Sequence, residues 1–323
     1  MSEKRLGVDF SGSVRALNDS DEILAGIEKA ENMGIPAAWL ITVGGHLDAI
    51  TVFAAAAART ERIMLGTAIT PTYPRHPVAV AQQVQVLGQL APGRFRLGVG
   101  PSRRRGVEDM LGLEYKAPLG HLREYVRILK ALLHKGEVDF NGRYYHAHTS
   151  IKAPMDVPVM ASGLGPKAFE LCGAEADGGI SWLVPGNYIR DVAVASMTVG
   201  AEKAGRPVPP LIMHAPVCVH DNADEVRDAV GWFFGSYLFP EFVQLFTASG
   251  LPESAEGAWS DGMVDSVALW GDEARVAERI KELYSFGVDE IIATPVPAGD
   301  NREASIDRTL RLIADMAPEV ARY

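Results

Sequence analysis

Residues 63–100 read IMLGTAITPTYPRHPVAVAQQVQVLGQLAPGRFRLGVG and contain a complete strand–helix–strand unit. Ile63–Ile69 and Arg94–Gly100 are short apolar runs of the length that strands have. Between them, Pro77–Leu90 is predicted to be a helix, with proline in the first turn, where its missing N–H does no harm. A helical connection lets the two strands pair in parallel through a right-handed crossover. The unit therefore predicts a parallel α/β fold.

The same alternation continues on both sides of this unit. Six more strands are predicted at Leu6–Phe10, Ala37–Ile41, Val157–Ala161, Gly178–Val184, Leu211–Val219 and Asp289–Thr294. Helices are predicted at Asn18–Gly34, Leu47–Arg59, Pro166–Ala174, Val192–Ala204, Ala274–Phe286 and Ser305–Ala317. Eight strands separated by helices favour a closed (β/α)8 TIM barrel over an open doubly wound sheet, which would show a similar alternation.

Two connections are longer than a barrel needs, and we expect them to be insertions after strands four and seven of a single domain that spans residues 1–323. Pro101–Asp156 should hold a helix at Leu122–Leu133 and a β-hairpin at Val138–His146, where Asn-Gly stands between β-prone residues. His220–Val288 contains seven clustered aromatic residues that could wall a pocket for a flat apolar ligand or form a helix interface, and we favour packing. They are Trp232, Phe233, Phe234, Tyr237, Phe239, Phe242 and Phe246.

The composition excludes several classes of protein. Hydrophobic residues make up 47% and charged residues 22%, which is far too apolar for a disordered chain. The net charge of −10 argues against nucleic-acid or anionic-membrane binding. The two cysteines, Cys172 and Cys218, are too few for a disulfide framework. The most apolar run, Ile50–Ala58, is too short to span a bilayer, and no signal peptide is evident, so we expect a cytoplasmic protein.

In a barrel of this kind, the active site forms at the C-terminal ends of the strands. Asp9 and Phe10 end the first predicted strand, and His46 lies on the loop after the second, where it could act as an acid or base. Trp182 belongs to the sixth. Arg103 opens the basic cluster Arg103–Arg105 after the fourth strand, which could attract an anion or could be a solvated loop.

The turn Ser162-Gly163-Leu164-Gly165-Pro166-Lys167 leads from the fifth strand into a helix. Small residues there expose backbone N–H groups, and a helix N-terminus attracts anions, so a phosphate site is one interpretation. The other is a tight turn that needs glycine for a positive φ.

No self-sufficient catalytic group emerges from the sequence. His146 and His148 belong to the predicted hairpin and show no partners for a zinc site, so we expect no metal. No Gly-x-Ser-x-Gly elbow occurs, and Cys172 should pack as a small hydrophobe. We therefore expect the protein to rely on a bound cofactor.

The segments Leu65–Pro77 (LGTAITPTYPRHP), Ala81–Gln83 and Pro92–Gly100 (PGRFRLGVG) resemble the bacterial luciferase-like superfamily of flavin- and deazaflavin-dependent oxidoreductases. The resemblance resumes at Pro158–Pro166, Ala176–Gly178 and Gly271–Glu273 and so covers most of the chain. Gly179–Val184 and Ala204–Pro207 look like the actinobacterial branch assigned to coenzyme F420.

The resemblance implies a (β/α)8 barrel with the cofactor ring at its C-terminal mouth. In members that use F420, a non-prolyl cis peptide forms a bulge behind the ring, which here maps to Thr67–Ala68, or to Ala68–Ile69 if the register shifts by one. The implied cofactor-binding residues are Thr67, Ala68, Ile69, Thr70, Gly100, Arg103, Gly163, Leu164, Gly165, Pro166 and Lys167. Of these, Gly163–Lys167 map to the phosphate contact, and Phe10 and Trp182 are expected in the substrate pocket.

The chain departs from the sugar-phosphate dehydrogenases of that superfamily. They carry an Asp-His pair after strand two, where this chain has Ile41-Thr42-Val43, and a catalytic glutamate where it has Arg103. Their lysine after strand six falls on or near Pro185. We therefore expect no sugar-phosphate oxidation by that mechanism, and Arg103 suggests an anionic substrate or a grip on the phosphate and glutamate tail of the cofactor.

We expect an oxidoreductase that transfers a hydride to or from C5 of F420, acts on an unidentified small organic substrate and forms a homodimer. His46 and Asp9 are weak candidates for the accompanying proton transfer. An FMN-dependent luciferase-like monooxygenase is the first alternative, and a non-catalytic flavin or deazaflavin carrier is the second.

Overall fold

The computed structural model describes residues 4–11 and 19–323 of the chain. Within them, twelve strands are present, and their lengths suit a barrel wall with short additions. They are β1 Arg5–Asp9, β2 Ala37–Leu40, β3 Met64–Thr67, β4 Thr70–Pro71, β5 Phe95–Gly100, β6 Glu137–Asn141, β7 His146–Ser150, β8 Val159–Ser162, β9 Gly179–Trp182, β10 Leu211–Val219, β11 Leu269–Gly271 and β12 Glu290–Pro295.

Eight of these strands close into a parallel barrel. The order around the barrel is β1, β2, β3, β5, β8, β9, β10 and β12, and β12 pairs back with β1. The closure of β9 onto β10 excludes the open sheet, so the predicted (β/α)8 TIM barrel is confirmed. All eight predicted barrel strands are present, with ends that differ by a few residues at most.

The longer helices that follow the barrel strands pack against the barrel. Thirteen α-helices are present in the described residues. They are α1 Ser20–Asn32, α2 Ala49–Ala57, α3 Pro77–Leu90, α4 Arg104–Glu108, α5 Pro118–Lys130, α6 Pro166–Glu175, α7 Gly186–Tyr188, α8 Val194–Lys203, α9 Ala223–Phe234, α10 Pro240–Ala248, α11 Asp261–Val267, α12 Glu273–Ser285 and α13 Arg302–Val320. Asp19 caps α1 by accepting hydrogen bonds from the N–H groups of Asp21 and Glu22. The predicted start of this helix, Asn18, lies outside the described residues.

Both predicted insertions are present. The first lies between β5 and β8 and holds α4, α5 and an antiparallel hairpin. The hairpin pairs Asn141 with His146, so its loop spans residues 142–145 and is longer than an Asn-Gly turn alone. The second insertion follows β10 and holds α9, α10 and α11, whose apolar faces form a separate buried cluster with the end of β9.

The barrel interior is filled by a large aromatic side chain and a buried ion pair. Trp39 is fully buried there, and a Cβ atom at Gly66 would lie 2.5 Å from its ring, so only glycine fits at that position of β3. The indole N–H of Trp39 donates to Glu290 at 2.8 Å. Arg96 donates to both carboxylate oxygens of Glu290 and stacks on Trp39. These contacts join β2, β5 and β12 across the barrel.

Candidate active site

Two neighbouring cavities open at the C-terminal end of the barrel. The larger one, of about 690 Å³, is lined by the loops after β2 and β4, by residues around α4 and by Phe239. The smaller one, of about 330 Å³, lies over the ends of β1, β9 and β12. Three residues, Val43, His46 and Arg103, line both cavities and form a shared wall between them.

The larger cavity carries several cationic groups. Arg75, Arg103 and Arg105 line it, and Arg75 forms an ion pair with Asp48 at 2.6 Å. Arg103 also places its guanidinium 4.7 Å from the ring centre of Tyr237 and 4.4 Å from that of Phe239. These cation–π contacts hold Arg103 at the shared wall and tie the fourth-strand loop to the second insertion.

Five aromatic side chains line the smaller cavity. They are Trp182, Trp232, Phe233, Phe234 and Tyr237. Trp182 packs edge-on against Phe234 and Tyr237, with ring centres 5.5 and 5.7 Å apart. Trp232, by contrast, is 65% exposed and lies at the rim. Of the seven aromatic residues in the predicted packing cluster, four line this cavity and Phe239 lines the larger one, while Phe242 and Phe246 are buried in the interface. The cluster therefore contributes both to cavity walls and to a packed interface.

The floor of the smaller cavity is polar. Asp9, Ser11 and Thr294 line it at the ends of β1 and β12. The hydroxyl of Thr294 donates to Oδ2 of Asp9 at 3.1 Å, and the backbone N–H of Ser11 donates to Oδ1 at 2.9 Å. Both carboxylate oxygens of Asp9 are thus held by hydrogen bonds, although the side chain is almost completely buried.

His214 lies directly behind this floor. Its Nε2 atom is 2.5 Å from the hydroxyl oxygen of Thr294 and 3.4 Å from Oδ2 of Asp9. Its ring also packs against Trp182, with centres 4.2 Å apart. Our sequence analysis missed both residues, because His214 lies inside one predicted strand, Thr294 ends another, and neither belongs to a recognisable motif. Only the barrel closure brings β10 and β12 alongside β1.

The end of β3 forms a bulge between β3 and β4. The cis peptide bond lies between Ala68 and Ile69, which is the second of the two registers that we considered, so Thr67–Ala68 was the wrong one. Thr67 is fully engaged in strand pairing, because its hydroxyl donates to the carbonyl of Gly98 and accepts from its N–H. Thr70 is also completely buried, but its hydroxyl has no hydrogen-bond partner among the described residues.

The turn at Gly163–Lys167 lines neither of the two cavities. Gly163 and Gly165 have no positive φ, so that explanation for the glycines is wrong. Gly163 is required by packing, since a Cβ atom there would lie 2.7 Å from the ring of Phe169. Gly165 is the N-cap of α6; it adopts an extended conformation, and a Cβ atom there would meet nothing within 4 Å. Lys167 is exposed and pairs with Glu170 at 3.2 Å.

Several other candidate residues lie away from the cavities. Phe10, which we expected in the substrate pocket, packs against α1, 3.0 Å from the Cβ position of Gly26. Cys172 is buried and donates to the carbonyl of Ala161, and burial raises the pKa of its thiol to about 12, so it packs as we predicted. His148 does have a carboxylate partner, Asp139, at 2.6 Å across the exposed hairpin. Among the described residues, no three metal-binding side chains come together.

Comparisons with known proteins agree with this architecture. The family described as luciferase-like monooxygenase matches residues 6–290. A 5,10-methylenetetrahydromethanopterin reductase from Methanolobus tindarius is 26% identical over 86% of this chain and 90% of its own length. An F420-dependent glucose-6-phosphate dehydrogenase from Nakamurella multipartita is 39% identical over 50% of each chain.

The structural comparison extends over nearly the whole chain. An F420-dependent secondary alcohol dehydrogenase, solved with an F420–acetone adduct, superposes with a TM-score of 0.82 over 98% of this chain and 99% of that one, at 19% identity. At this identity the superposition shows a common fold. Within residues 4–11 and 19–323, no helix has the length and apolar character that crossing a membrane requires.

Proposed function

Because the chain belongs to the luciferase-like monooxygenase family, we propose that it is an oxidoreductase that transfers a hydride between coenzyme F420 and a small organic substrate. The choice of cofactor depends on one observation above all. Proteins named as F420-dependent glucose-6-phosphate dehydrogenases are 34–39% identical to this chain over half of its length or slightly more.

The residues at the barrel mouth are suited to such a cofactor. Thr70 follows the bulge of β3 and has a buried hydroxyl without a protein partner, which is the kind of group that a bound polar ring satisfies. The N-terminus of α6 begins at Gly165, in open space, where backbone N–H groups favour a phosphate. Arg103 and Arg105 supply positive charge for the carboxylates of the cofactor tail.

We place the cofactor against the larger cavity and the end of β3, and the substrate in the smaller cavity. F420, when bound, supplies or accepts the hydride at C5. The two sites meet at the shared wall of Val43, His46 and Arg103, so the reacting atoms belong beside these residues. The aromatic wall excludes water from this place, which strengthens every polar interaction inside it.

Asp9 is our candidate for the group that exchanges a proton with the substrate oxygen. It lines the smaller cavity at its polar floor, and a positioned carboxyl group there can take the proton of an alcohol or return it to a carbonyl oxygen. Thr294 and His214 position Asp9 by a chain of hydrogen bonds. His46 also lines this cavity and is the alternative candidate.

Glucose 6-phosphate does not suit this site. The stretch Ile41-Thr42-Val43 and Arg103 stand where the resemblance puts the Asp-His pair and the catalytic glutamate of sugar-phosphate dehydrogenases, and Val43 and Arg103 lie on the shared wall. An apolar side chain and a guanidinium cannot act as general acid or base at neutral pH. The substrate is therefore expected to differ from that of these relatives.

The proposal is tested by titrating the purified protein with F420 and, separately, with FMN, following the cofactor fluorescence. Tight binding of F420 and weak binding of FMN support it. Preference for FMN, together with oxygen consumption in the presence of reduced FMN, would contradict it in favour of a monooxygenase. Binding of F420 without turnover of any alcohol or ketone in a broad panel would favour a carrier.

A further inference from the structure

We propose that the smaller cavity binds a flat, largely apolar molecule of about two fused rings that carries a single carbonyl or hydroxyl oxygen, and that this is the class of substrate. The inference rests on the proposed function for the hydride transfer, but the recognition itself follows from the cavity. Its size, its walls and the position of its polar groups each restrict the ligand.

The size of the cavity sets the size of the ligand. A cavity of about 150 Å³ lined by apolar side chains accepts one benzene molecule. The smaller cavity, at about 330 Å³, has roughly twice that volume. It is therefore large enough for two fused six-membered rings, and it lies at the lower end of the range of small-molecule pockets, which starts at about 300 Å³.

The walls select a planar ligand. Trp182, Phe234 and Tyr237 pack edge-to-face on one another and present a continuous aromatic surface. Trp232 and Phe233 extend this surface at the rim. Trp232 is 65% exposed there, so a bound ligand would bury apolar area of its ring. Aromatic surfaces of this kind favour stacked or edge-on rings beyond the free energy of area burial alone.

The polar groups of the cavity lie in two places, at the floor and, with His46 and Arg103, on the shared wall. Asp9, Ser11 and Thr294 form the floor, which suits one oxygen atom at one end of the ligand. A sugar would leave several hydroxyl groups without partners against the aromatic wall, at a cost for each. An anionic group would meet the carboxylate of Asp9, while the charge of Arg103 is already directed at Tyr237 and Phe239. The floor of the cavity therefore disfavours an anionic substrate.

The reaction that follows is a reversible ketone reduction. The carbonyl carbon receives the hydride with its two electrons, the C=O π pair moves to the oxygen, and that oxygen takes a proton at the polar floor. The ketone is thereby reduced to an alcohol, and F420H2 is oxidised to F420. In the reverse direction the alcohol loses its hydroxyl proton and the hydride.

The probe for the test is 1-tetralone, a fused bicyclic ketone, and binding is measured by isothermal titration calorimetry without cofactor. One molecule should bind per chain. Tetralin, which has the same rings and no oxygen, should bind about tenfold more weakly because it leaves the polar floor without a partner. Glucose 6-phosphate should neither bind nor compete.

Variants locate the probe. Trp232→Ala and Trp182→Ala should each weaken binding of 1-tetralone about tenfold, since each removes one aromatic contact. Trp232 is the safer position, because its side chain is largely exposed and its truncation leaves no cavity in the core. Tyr323→Ala is the matched control, as it removes an exposed aromatic side chain outside both cavities. It should leave the affinity unchanged.

The outcomes separate this inference from the proposed function. If F420 binds but 1-tetralone neither binds nor is reduced by F420H2, the substrate class is wrong and the cofactor assignment stands. If 1-tetralone binds and F420 abolishes that binding, the smaller cavity belongs to the cofactor and the inference is overturned. If F420 does not bind at all, the proposed function fails, whatever 1-tetralone does. Simultaneous binding of both, with formation of 1-tetralol, supports the inference.

Discussion

The imidazole of His214 and the hydroxyl of Thr294 are joined by a hydrogen bond of 2.5 Å inside the barrel, and both side chains are almost completely buried. Thr294 has a single hydroxyl proton, which it donates to Asp9. Its oxygen must therefore accept a hydrogen bond from Nε2–H of His214. The hydrogen-bond network thus assigns a proton to Nε2 of His214. The chain runs from His214 through Thr294 to Asp9, with every proton directed towards the carboxylate.

The first prediction concerns Asp9. Asp9→Asn should reduce the turnover rate by about 10²-fold or more, because the amide cannot exchange a proton with the substrate oxygen. The affinity for F420, measured by fluorescence titration, should remain close to that of the wild type. Asp21→Asn, on the exposed first turn of α1, is the control. An unchanged turnover rate in Asp9→Asn would contradict the role of Asp9 and make His46 the candidate for proton transfer.

Thr294→Val tests whether Thr294 and His214 act through Asp9. The substitution removes the donor to Asp9 and leaves Nε2–H of His214 without its acceptor, so the free energy of unfolding should fall by about 1–3 kcal/mol. The rate should also fall, and the double variant Asp9→Asn/Thr294→Val should be no slower than Asp9→Asn alone. If the reductions in turnover rate of the two single variants multiply in the double variant, Thr294 acts independently of Asp9.

Gly165 offers a test of the phosphate contact that separates stability from binding. Gly165→Asp should leave the melting temperature unchanged or raise it, since an N-cap carboxylate satisfies orphan N–H groups of α6 and the site has room for it. It should weaken F420 binding, because it places negative charge where the phosphate belongs. Gly165→Ser caps the helix without charge and should weaken binding much less. If the wild type, Gly165→Asp and Gly165→Ser bind F420 with equal affinity, the turn at Gly163–Lys167 is not part of the cofactor site.

Stability should depend on His121 as the pH falls. Burial lowers the pKa of His121 to about 4, against the opposing attraction of Glu124, and its ring stacks on Tyr73 at 4.0 Å. The unfolded chain takes up this proton near the ordinary histidine pKa of about 6.5, whereas the folded chain takes it up only near pH 4. The free energy of unfolding therefore decreases as the pH falls from about 6.5 to about 4.

The comparison that isolates this effect is His121→Phe, which keeps a ring against Tyr73 and cannot titrate. Denaturant unfolding of both proteins at about pH 7 and pH 5 should show a larger loss of stability in the wild type than in the variant. Parallel losses would mean that other groups account for the acid sensitivity.

The buried pair of Arg96 and Glu290 should be costly to break. Arg96→Met leaves the carboxylate of Glu290 buried with Trp39 as its one side-chain donor in the described part of the chain. The free energy of unfolding should therefore fall by about 3–5 kcal/mol in a denaturant titration. Arg190→Met, which breaks the exposed pair with Asp191, should change it by less than about 1 kcal/mol. A small effect of Arg96→Met would mean that water replaces the lost guanidinium.

The strand–helix alternation predicted from the sequence was sufficient for the barrel, because apolar runs and helix periodicity are local properties of the chain. The candidate site was predictable only in part. Arg103, Trp182 and Asp9 lie in or shortly after predicted strands and do line the cavities. Phe10, one residue from Asp9, points the other way, since successive side chains of a strand alternate between its two faces.

The sequence by itself therefore determined the order of the strands, the location of the two insertions and the end of the barrel where the cavities open. Only the tertiary structure decided which side chains meet there. Asp9, His214 and Thr294 are up to 285 residues apart, and their contact depends on the closure that brings β1, β10 and β12 into one sheet. No local pattern encodes such a contact, because it is created by the stagger of neighbouring strands and by packing of the second insertion over the barrel.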